Sequence, residues 1–192
     1  MRKIVIYPGR FQPPHIGHLK TYNLLCKHFG KDNVYICTAN KIKYPESIFD
    51  FETRKYLLTR ILKISQSNII QVSSPYTPEQ FFKGSGITPD EVILFAALGN
   101  KDKDRIKLNV TLKNGNLGYY ISPPKGKEVY YNANKHGYIL FYKDIMSAVN
   151  LRKALLDMNI GNDVKVKLWN EMTGLDEKEL NFVMQKVNET LK

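Results

Sequence analysis

The sequence alternates short, almost continuously apolar segments with longer amphipathic ones. Five apolar segments are rich in β-branched and aromatic residues: Ile4–Tyr7, Val34–Thr38, Ile69–Val72, Val92–Ala97 and Tyr138–Tyr142. Such segments are typical of strands that are buried on both faces, as in a parallel sheet. Apolar residues at helical spacing predict helices at His18–Phe29, Phe51–Ile64 and Ser147–Met158. Because strands and helices alternate, the sequence predicts an open α/β sheet.

Two parts of the chain fall outside this alternation. Residues 107–135 contain several glycines and prolines, five lysines and four tyrosines, Tyr119, Tyr120, Tyr130 and Tyr131. A connection this long favours a substrate lid, and packing of a surface loop is the alternative. Residues 159–192 include an apolar stripe over Asp176–Leu191, which predicts a C-terminal helical extension packed on the domain formed by residues 1–158.

The charge is strongly positive and unevenly distributed. Lys and Arg number 29 against 18 Asp and Glu, which gives a formal net charge of +11. The excess lies within residues 1–136, whereas residues 137–192 are balanced. A positive field of this kind favours anionic partners such as nucleotides, phosphates or nucleic acid. No apolar run approaches the length of a membrane span, so no membrane partner is expected.

The cysteines and histidines restrict metal and redox chemistry. Cys26 and Cys37 are the only cysteines and lack the Cys-x-x-Cys spacing, so neither a disulfide scaffold nor a cysteine-ligated zinc is expected. A reducing, cytoplasmic location fits this usage. The histidines outside the motif described next are His28 and His136, which leaves a zinc site there short of ligands.

A dense motif, Gly-Arg-Phe-Gln-Pro-Pro-His-Ile-Gly-His at residues 9–18, follows the first predicted strand. Gly9 permits a turn at the sheet edge, and Arg10 can bind phosphate through two N–H groups. His15 and His18 share one side of the first turn of the next helix, whose N-terminus attracts anions. Gly17 lets a phosphate approach the backbone. The pattern predicts a phosphate site at the carboxyl edge of the sheet.

A second candidate site follows the last predicted strand. Ser147 is a suitable N-cap for the helix that comes next, and Arg152 lies five residues further on. The pair would place a second helix N-terminus and a cation at the same sheet edge. A plain capped helix with a surface arginine is the alternative interpretation.

The motif at residues 9–18 resembles the signature of the HxGH nucleotidylyltransferase superfamily. Within it, Gly-Arg-Phe-Gln-Pro-x-His-x-Gly-His is most similar to the archaeal-type nicotinamide mononucleotide (NMN) adenylyltransferases. The cytidylyltransferase and pantetheine-phosphate branches usually carry Gly-Thr-Phe-Asp there. The resemblance covers roughly residues 3–157. It implies a Rossmann-like fold with a five-stranded parallel sheet of order 3-2-1-4-5 and helices on both faces.

The resemblance extends to other residues. Ser147 and Arg152 match the Ser and Arg of the family's Ile-Ser-x-Thr-x-x-Arg motif, whereas Val149 stands where the family has Thr. Gly9, Phe11 and Gly17 fall among the implied nucleotide-binding residues. The implied contacts to an acceptor or a phosphate are Arg54, Lys101, Asp102 and Arg105. Many family members are oligomers, so a homo-oligomer is also implied.

The implied activity is transfer of a nucleotidyl group from ATP to a phosphorylated acceptor. The first candidate acceptor is NMN, which would give NAD and pyrophosphate. His18 would bind the α-phosphate and His15 the triphosphate, while Arg10 and Arg152 would hold the β- and γ-phosphates. Mg²⁺ would arrive with the triphosphate and need no direct protein ligand. The alternatives are cytidylyl or adenylyl transfer to another phosphorylated small molecule, and a non-catalytic nucleotide- or RNA-binding relative.

Overall fold

The computed structural model of the protein describes residues 1–116, 118–122 and 135–190, and the backbone alone of Arg105. Part of the predicted lid, including Tyr130 and Tyr131, lies outside the described residues. No helix within the described ranges has the length and apolar character needed to cross a membrane.

In the part of the chain that the structure describes, a parallel sheet of six strands forms the centre of the fold. Its strands are β1 (Arg2–Pro8), β2 (Val34–Thr38), β3 (Ile69–Gln71), β4 (Val92–Gly99), β5 (Tyr120–Ile121) and β6 (Gly137–Tyr142). The order is β3-β2-β1-β4-β6-β5, and every pair is parallel. The five predicted strands and their order are confirmed, with β6 as the predicted fifth. The additional strand, β5, pairs two residues at the edge of β6 and is too short for periodicity to reveal.

Within the described residues, six α-helices connect or follow the strands. They are α1 (Ile16–Phe29), α2 (Phe51–Leu62), α3 (Pro78–Ser85), α4 (Val149–Leu156), α5 (Asn162–Thr173) and α6 (Glu177–Thr190). The sequence did not predict α3, because eight residues provide only two helical turns of pattern. In α2, the Asp50 side chain accepts the Thr53 N–H at 2.8 Å, so the helix begins where a capping residue precedes it.

Both faces of the sheet are buried. Alternation along β1 places Val5 and Tyr7 in one apolar cluster and Ile4 and Ile6 in the other. The first cluster contains buried side chains of α1, α2, α4, α5 and α6, whereas the second contains Phe81 and Phe82 of α3. This burial explains why the strands are continuously apolar.

The C-terminal helices share the first apolar cluster with the sheet. Trp169 of α5 is completely buried there, together with Leu180 and Val183 of α6. Asp176 and Glu179 form a reciprocal capping box at the start of α6, with both hydrogen bonds at 3.1 Å. Glu179 also accepts hydrogen bonds from the Arg60 guanidinium of α2. These contacts fix α6 against α2.

Candidate active site

A cavity of about 290 Å³ lies at the carboxyl ends of β1, β4 and β6. Ten of the predicted site residues line it: Gly9, Arg10, Phe11, His15, Gly17, His18, Lys101, Asp102, Ser147 and Arg152. The other lining residues include six with polar side chains that the sequence did not assign to the site: Tyr7, Gln12, Thr21, Tyr76, Tyr142 and Asp144. The sheet topology therefore brings two motifs more than a hundred residues apart into one site.

The two histidines form a capping box at the start of α1. His15 is the N-cap residue, and its Nδ1 accepts the His18 N–H at 3.4 Å. The His18 Nδ1 accepts the His15 N–H at 3.1 Å, and the rings stack with centroids 3.7 Å apart. An Nδ1 that accepts a hydrogen bond carries no proton, so the proton of each neutral ring is on Nε2. Each ring thus retains one N–H donor at the cavity.

Burial keeps both imidazoles neutral at physiological pH. Burial, followed by the nearby charge of Lys101, lowers the pKa of His15 to about 4. Burial likewise lowers the pKa of His18 well below 6.5, with contributions from His15 and Lys101. The pair therefore offers neutral hydrogen-bond donors, while the α1 N-terminus and nearby cations provide positive potential.

The lowered pKa of His15 predicts a loss of stability in mild acid. The unfolded chain binds a proton on this residue below about pH 6.5, whereas the folded protein does so only near pH 4. The free energy of unfolding should therefore fall by about 3 kcal/mol over that interval through His15 alone. Urea denaturation between pH 7 and pH 4 measures this loss.

The matched variant for this prediction is His15→Asn, because asparagine keeps an N-cap acceptor but does not titrate. Its stability should fall less with acid than that of the wild-type protein. His28→Asn serves as the control, since His28 is exposed near the other end of α1. Identical acid dependence of His15→Asn and the wild-type protein would refute the prediction.

Glycines allow close packing within the site. A Cβ atom on Gly17 would lie 2.8 Å from the Met146 Cβ and 2.9 Å from the His15 Nδ1. Gly17 therefore lets the segment before α4 pack over the first turn of α1. Gly9 similarly leaves room for the Phe11 ring, and Phe11 itself adopts the left-handed backbone conformation, with φ of 49°. The turn predicted at Gly9 thus depends on both residues.

Arg152 connects the second motif to the first. Its guanidinium donates to the backbone carbonyl of Gln12 at 2.6 Å. The Gln12 side chain is buried and exchanges two hydrogen bonds with the Phe49 backbone, at 2.8 and 2.9 Å. Burial, followed by repulsion from Arg10, lowers the pKa of Arg152. Two arginines near one cavity repel each other, and a polyanion between them would relieve that repulsion.

Ser147 lines the cavity but is not the N-cap of the following helix. The N-cap is Ala148, and α4 begins at Val149. The Ser147 Oγ accepts the Val149 N–H at 3.4 Å, a weak contact. The helix thus begins two residues later than predicted, and Met146 in the segment before it packs over Gly17.

Arg54 occupies a different place from the one its predicted phosphate contact requires. It does not line the cavity and is only 1% exposed. Its guanidinium donates to four acceptors: the carbonyls of Arg10, Ala39 and Asp50 and the hydroxyl of Thr38. Burial lowers its pKa to about 10, so it remains charged at neutral pH. The Arg105 side chain lies outside the described residues.

The carboxylates of the site fit a metal ion that is bound mainly by its nucleotide. Within the described ranges, no three His, Cys, Asp or Glu residues are grouped as metal ligands. Asp102 and Asp144 both line the cavity, and Asp144 is paired with Lys101 at 2.9 Å. Mg²⁺ keeps several waters and commonly binds one or two carboxylates together with phosphate oxygens, so this donor set suits it.

Comparisons with known proteins support this description. The family model described as cytidylyltransferase-like matches residues 6–154. A comparison with curated protein sequences gave no match. Solved structures of similar fold include a Plasmodium falciparum nicotinic acid mononucleotide adenylyltransferase complexed with NaAD. It is 15% identical, with a TM-score of 0.57 and coverage of 97% of this chain and 96% of that chain.

A second similar structure is a bifunctional NMN adenylyltransferase/ADP ribose pyrophosphatase from Francisella tularensis, complexed with AMP and a Mn ion. It is 15% identical with a TM-score of 0.56, and the match covers 98% of this chain but 50% of that one. Identities this low show a shared fold alone. The fold, the two joined motifs and the matching family model together define a nucleotidylyltransferase. The chain belongs to the cytidylyltransferase-like family.

Proposed function

We propose that the protein transfers the adenylyl group of ATP to the phosphate of NMN, giving NAD and pyrophosphate. The observation that carries the proposal is the neutral, stacked His15–His18 pair at the N-terminus of α1, with Arg152 bound to the same loop. The choice of NMN rests on the Gly-Arg-Phe-Gln-Pro signature, and the similar structures bear related names.

In this reaction an oxygen of the NMN phosphate attacks the α-phosphorus of ATP. The bond from the α-phosphorus to the α,β-bridging oxygen breaks, and pyrophosphate leaves with that oxygen. No bond to the protein forms, so the site contributes positioning and stabilisation of the charge in the transition state. A cavity at a sheet edge that holds neutral and charged donors suits this task.

The two histidines would act on the reacting phosphate. The Nε2–H of His18 would donate to a non-bridging α-phosphate oxygen, and the Nε2–H of His15 would donate closer to the bridging oxygen. Since both rings are neutral, they donate hydrogen bonds without giving up a proton to the leaving group. Their Nδ1 atoms are held by the helix backbone, which fixes the direction of each donor.

The leaving pyrophosphate would be held by cations. Arg152 donates one N–H group to the Gln12 carbonyl and has further donors for phosphate oxygens. Arg10 is exposed at the cavity rim, where it can reach a γ-phosphate. Mg²⁺ bound to the triphosphate would neutralise charge on the phosphate oxygens. Ser147 and the N-terminus of α4 would provide neutral hydrogen bonds.

The first experiment measures pyrophosphate release with ATP or CTP and Mg²⁺ across a panel of phosphorylated acceptors that includes NMN. Release with ATP and NMN alone is the expected result. Release with CTP or with another acceptor would retain nucleotidyl transfer and refute the NMN assignment. Release from no pair would refute the enzymatic proposal, and the +11 charge would then favour nucleic-acid binding, which is tested by its salt dependence.

A further inference from the structure

One carboxylate bridges the ends of two neighbouring strands at the cavity. Asp144 follows β6, and Lys101 follows β4. The Asp144 Oδ2 accepts the backbone N–H of Lys101 at 3.2 Å, and Oδ1 lies 2.9 Å from the Lys101 Nζ. A single side chain therefore holds both the backbone and the ammonium group of one lysine.

Gly99 provides the space in which this carboxylate lies. A Cβ atom on Gly99 would be 2.5 Å from the Asp144 Oδ1 and 2.8 Å from Oδ2. The backbone of Gly99, with φ −64° and ψ 148°, is one that any residue adopts. Glycine is thus needed here for the contact with Asp144 and not for backbone conformation.

The lysine held in this way faces the reacting site. Lys101, Asp144 and both histidines line the same cavity. The charge of Lys101 is close enough to lower the pKa of His15 and of His18. The Lys101 side chain is 61% exposed, and an ion pair this accessible adds little to folding stability. The arrangement therefore needs an explanation in binding or catalysis.

We propose that Asp144 is a positioning residue that holds the Lys101 ammonium against the triphosphate of the bound nucleotide, with Gly99 providing its space. The proposal rests on the proposed nucleotidyl transfer, and it assigns Lys101 to the nucleotide and not to the acceptor. The ammonium would add a positive charge beside the two neutral imidazoles. Asp144 would direct that charge to the phosphate chain by binding both the backbone N–H and the ammonium group of Lys101.

The test uses calorimetric binding of inorganic tripolyphosphate to the full chain, which requires no acceptor. Lys101→Met should weaken binding about tenfold, as expected for one charge-assisted hydrogen bond. Asp144→Asn should also weaken it, although removal of a negative charge would by itself strengthen binding of an anion. A fall in tripolyphosphate affinity would therefore indicate that Asp144 positions Lys101, whereas a rise would indicate that Asp144 only repels the anion.

A double-mutant cycle tests whether Asp144 acts through Lys101. Asp144→Asn should have no further weakening effect when Lys101→Met is already present. Gly99→Ala should reproduce the effect of Asp144→Asn, because its methyl group displaces the carboxylate while the backbone stays relaxed. Lys103→Met is the matched control, since Lys103 follows Lys101 closely in the chain but its ammonium lies over the Phe141 ring. It should leave tripolyphosphate affinity unchanged.

Two results would overturn the proposal. One is stronger tripolyphosphate binding by Asp144→Asn, and the other is weakening by Asp144→Asn that persists in full in the Lys101→Met background. Failure of the proposed function is a separate outcome. If no acceptor supports pyrophosphate release while the wild-type protein binds tripolyphosphate, the cycle still decides the role of Asp144.

Discussion

Replacing His18 with alanine is expected to slow pyrophosphate release by about a hundredfold or more, with little change in the affinity for ATP. A hydrogen bond that strengthens as charge develops on the α-phosphate stabilises the transition state more than the bound substrate. Loss of one preorganised donor of this kind typically reduces kcat by two to three orders of magnitude. Steady-state kinetics with ATP and the best acceptor measure the change.

The structure also defines the controls for His18. His18→Ala removes the acceptor for the His15 N–H, so part of the effect could come from the start of α1. His18→Gln retains a side chain that closes a capping box at this position, and it should restore stability without restoring turnover. His28→Ala, an exposed histidine of the same helix, should behave as wild type. Wild-type turnover by a folded His18→Ala protein would remove His18 from the reaction.

The strands were predictable because burial on both faces leaves a continuous apolar signal. Ile4–Tyr7 and Val92–Ala97 lie within β1 and β4, and the structure extends both by a few residues. The elements that sequence reasoning missed carry little pattern. They are β5, which has two residues, and α3, which has eight. Edge strands and short helices depend on tertiary contacts with residues distant in sequence, which the local pattern of residues does not show.

The candidate site was predictable where its residues are contiguous. Residues 9–18 combine their functional groups in one loop, and ten predicted residues do line the cavity. The sequence did not indicate a role for Asp144, because its contacts are with Lys101 and Gly99, which are more than forty residues away. The sequence did not indicate the capping box of α1, because histidine is not a usual residue at the N-cap or at the third helical position. Long-range contacts and an uncommon choice of capping residue thus limit what a sequence predicts about a site.

Arg54 shows a third limit, since sequence does not reveal which way a helical cation points. An arginine after β2 was predicted to touch a substrate phosphate, yet the side chain points inward. Its donors bind the carbonyl of Arg10 in the first motif and that of Ala39 directly after β2. The residue therefore holds the backbone of the first motif while the Arg10 side chain remains exposed at the cavity.

Replacing Arg54 with methionine is consequently expected to lower the free energy of unfolding by about 4 kcal/mol. Methionine fills a similar volume but leaves the Arg10 carbonyl and the Thr38 hydroxyl without this donor, whereas the carbonyls of Ala39 and Asp50 keep a backbone N–H. Each buried polar group left unpaired costs about 1–3 kcal/mol, and solvent or local relaxation reduces the sum. Urea denaturation at pH 7 measures the loss.

Arg60→Met is the matched control for Arg54→Met, because Arg60 belongs to the same helix but its side chain is 51% exposed. Its loss of stability should be much smaller, although it removes the ion pair with Glu179. Arg54→Lys should recover only part of the loss, since one ammonium cannot reach acceptors spread around a planar guanidinium. If Arg54 instead bound a substrate phosphate, Arg54→Met would leave stability unchanged and raise KM. Stability and KM thus separate an arginine that holds the loop from one that binds the substrate.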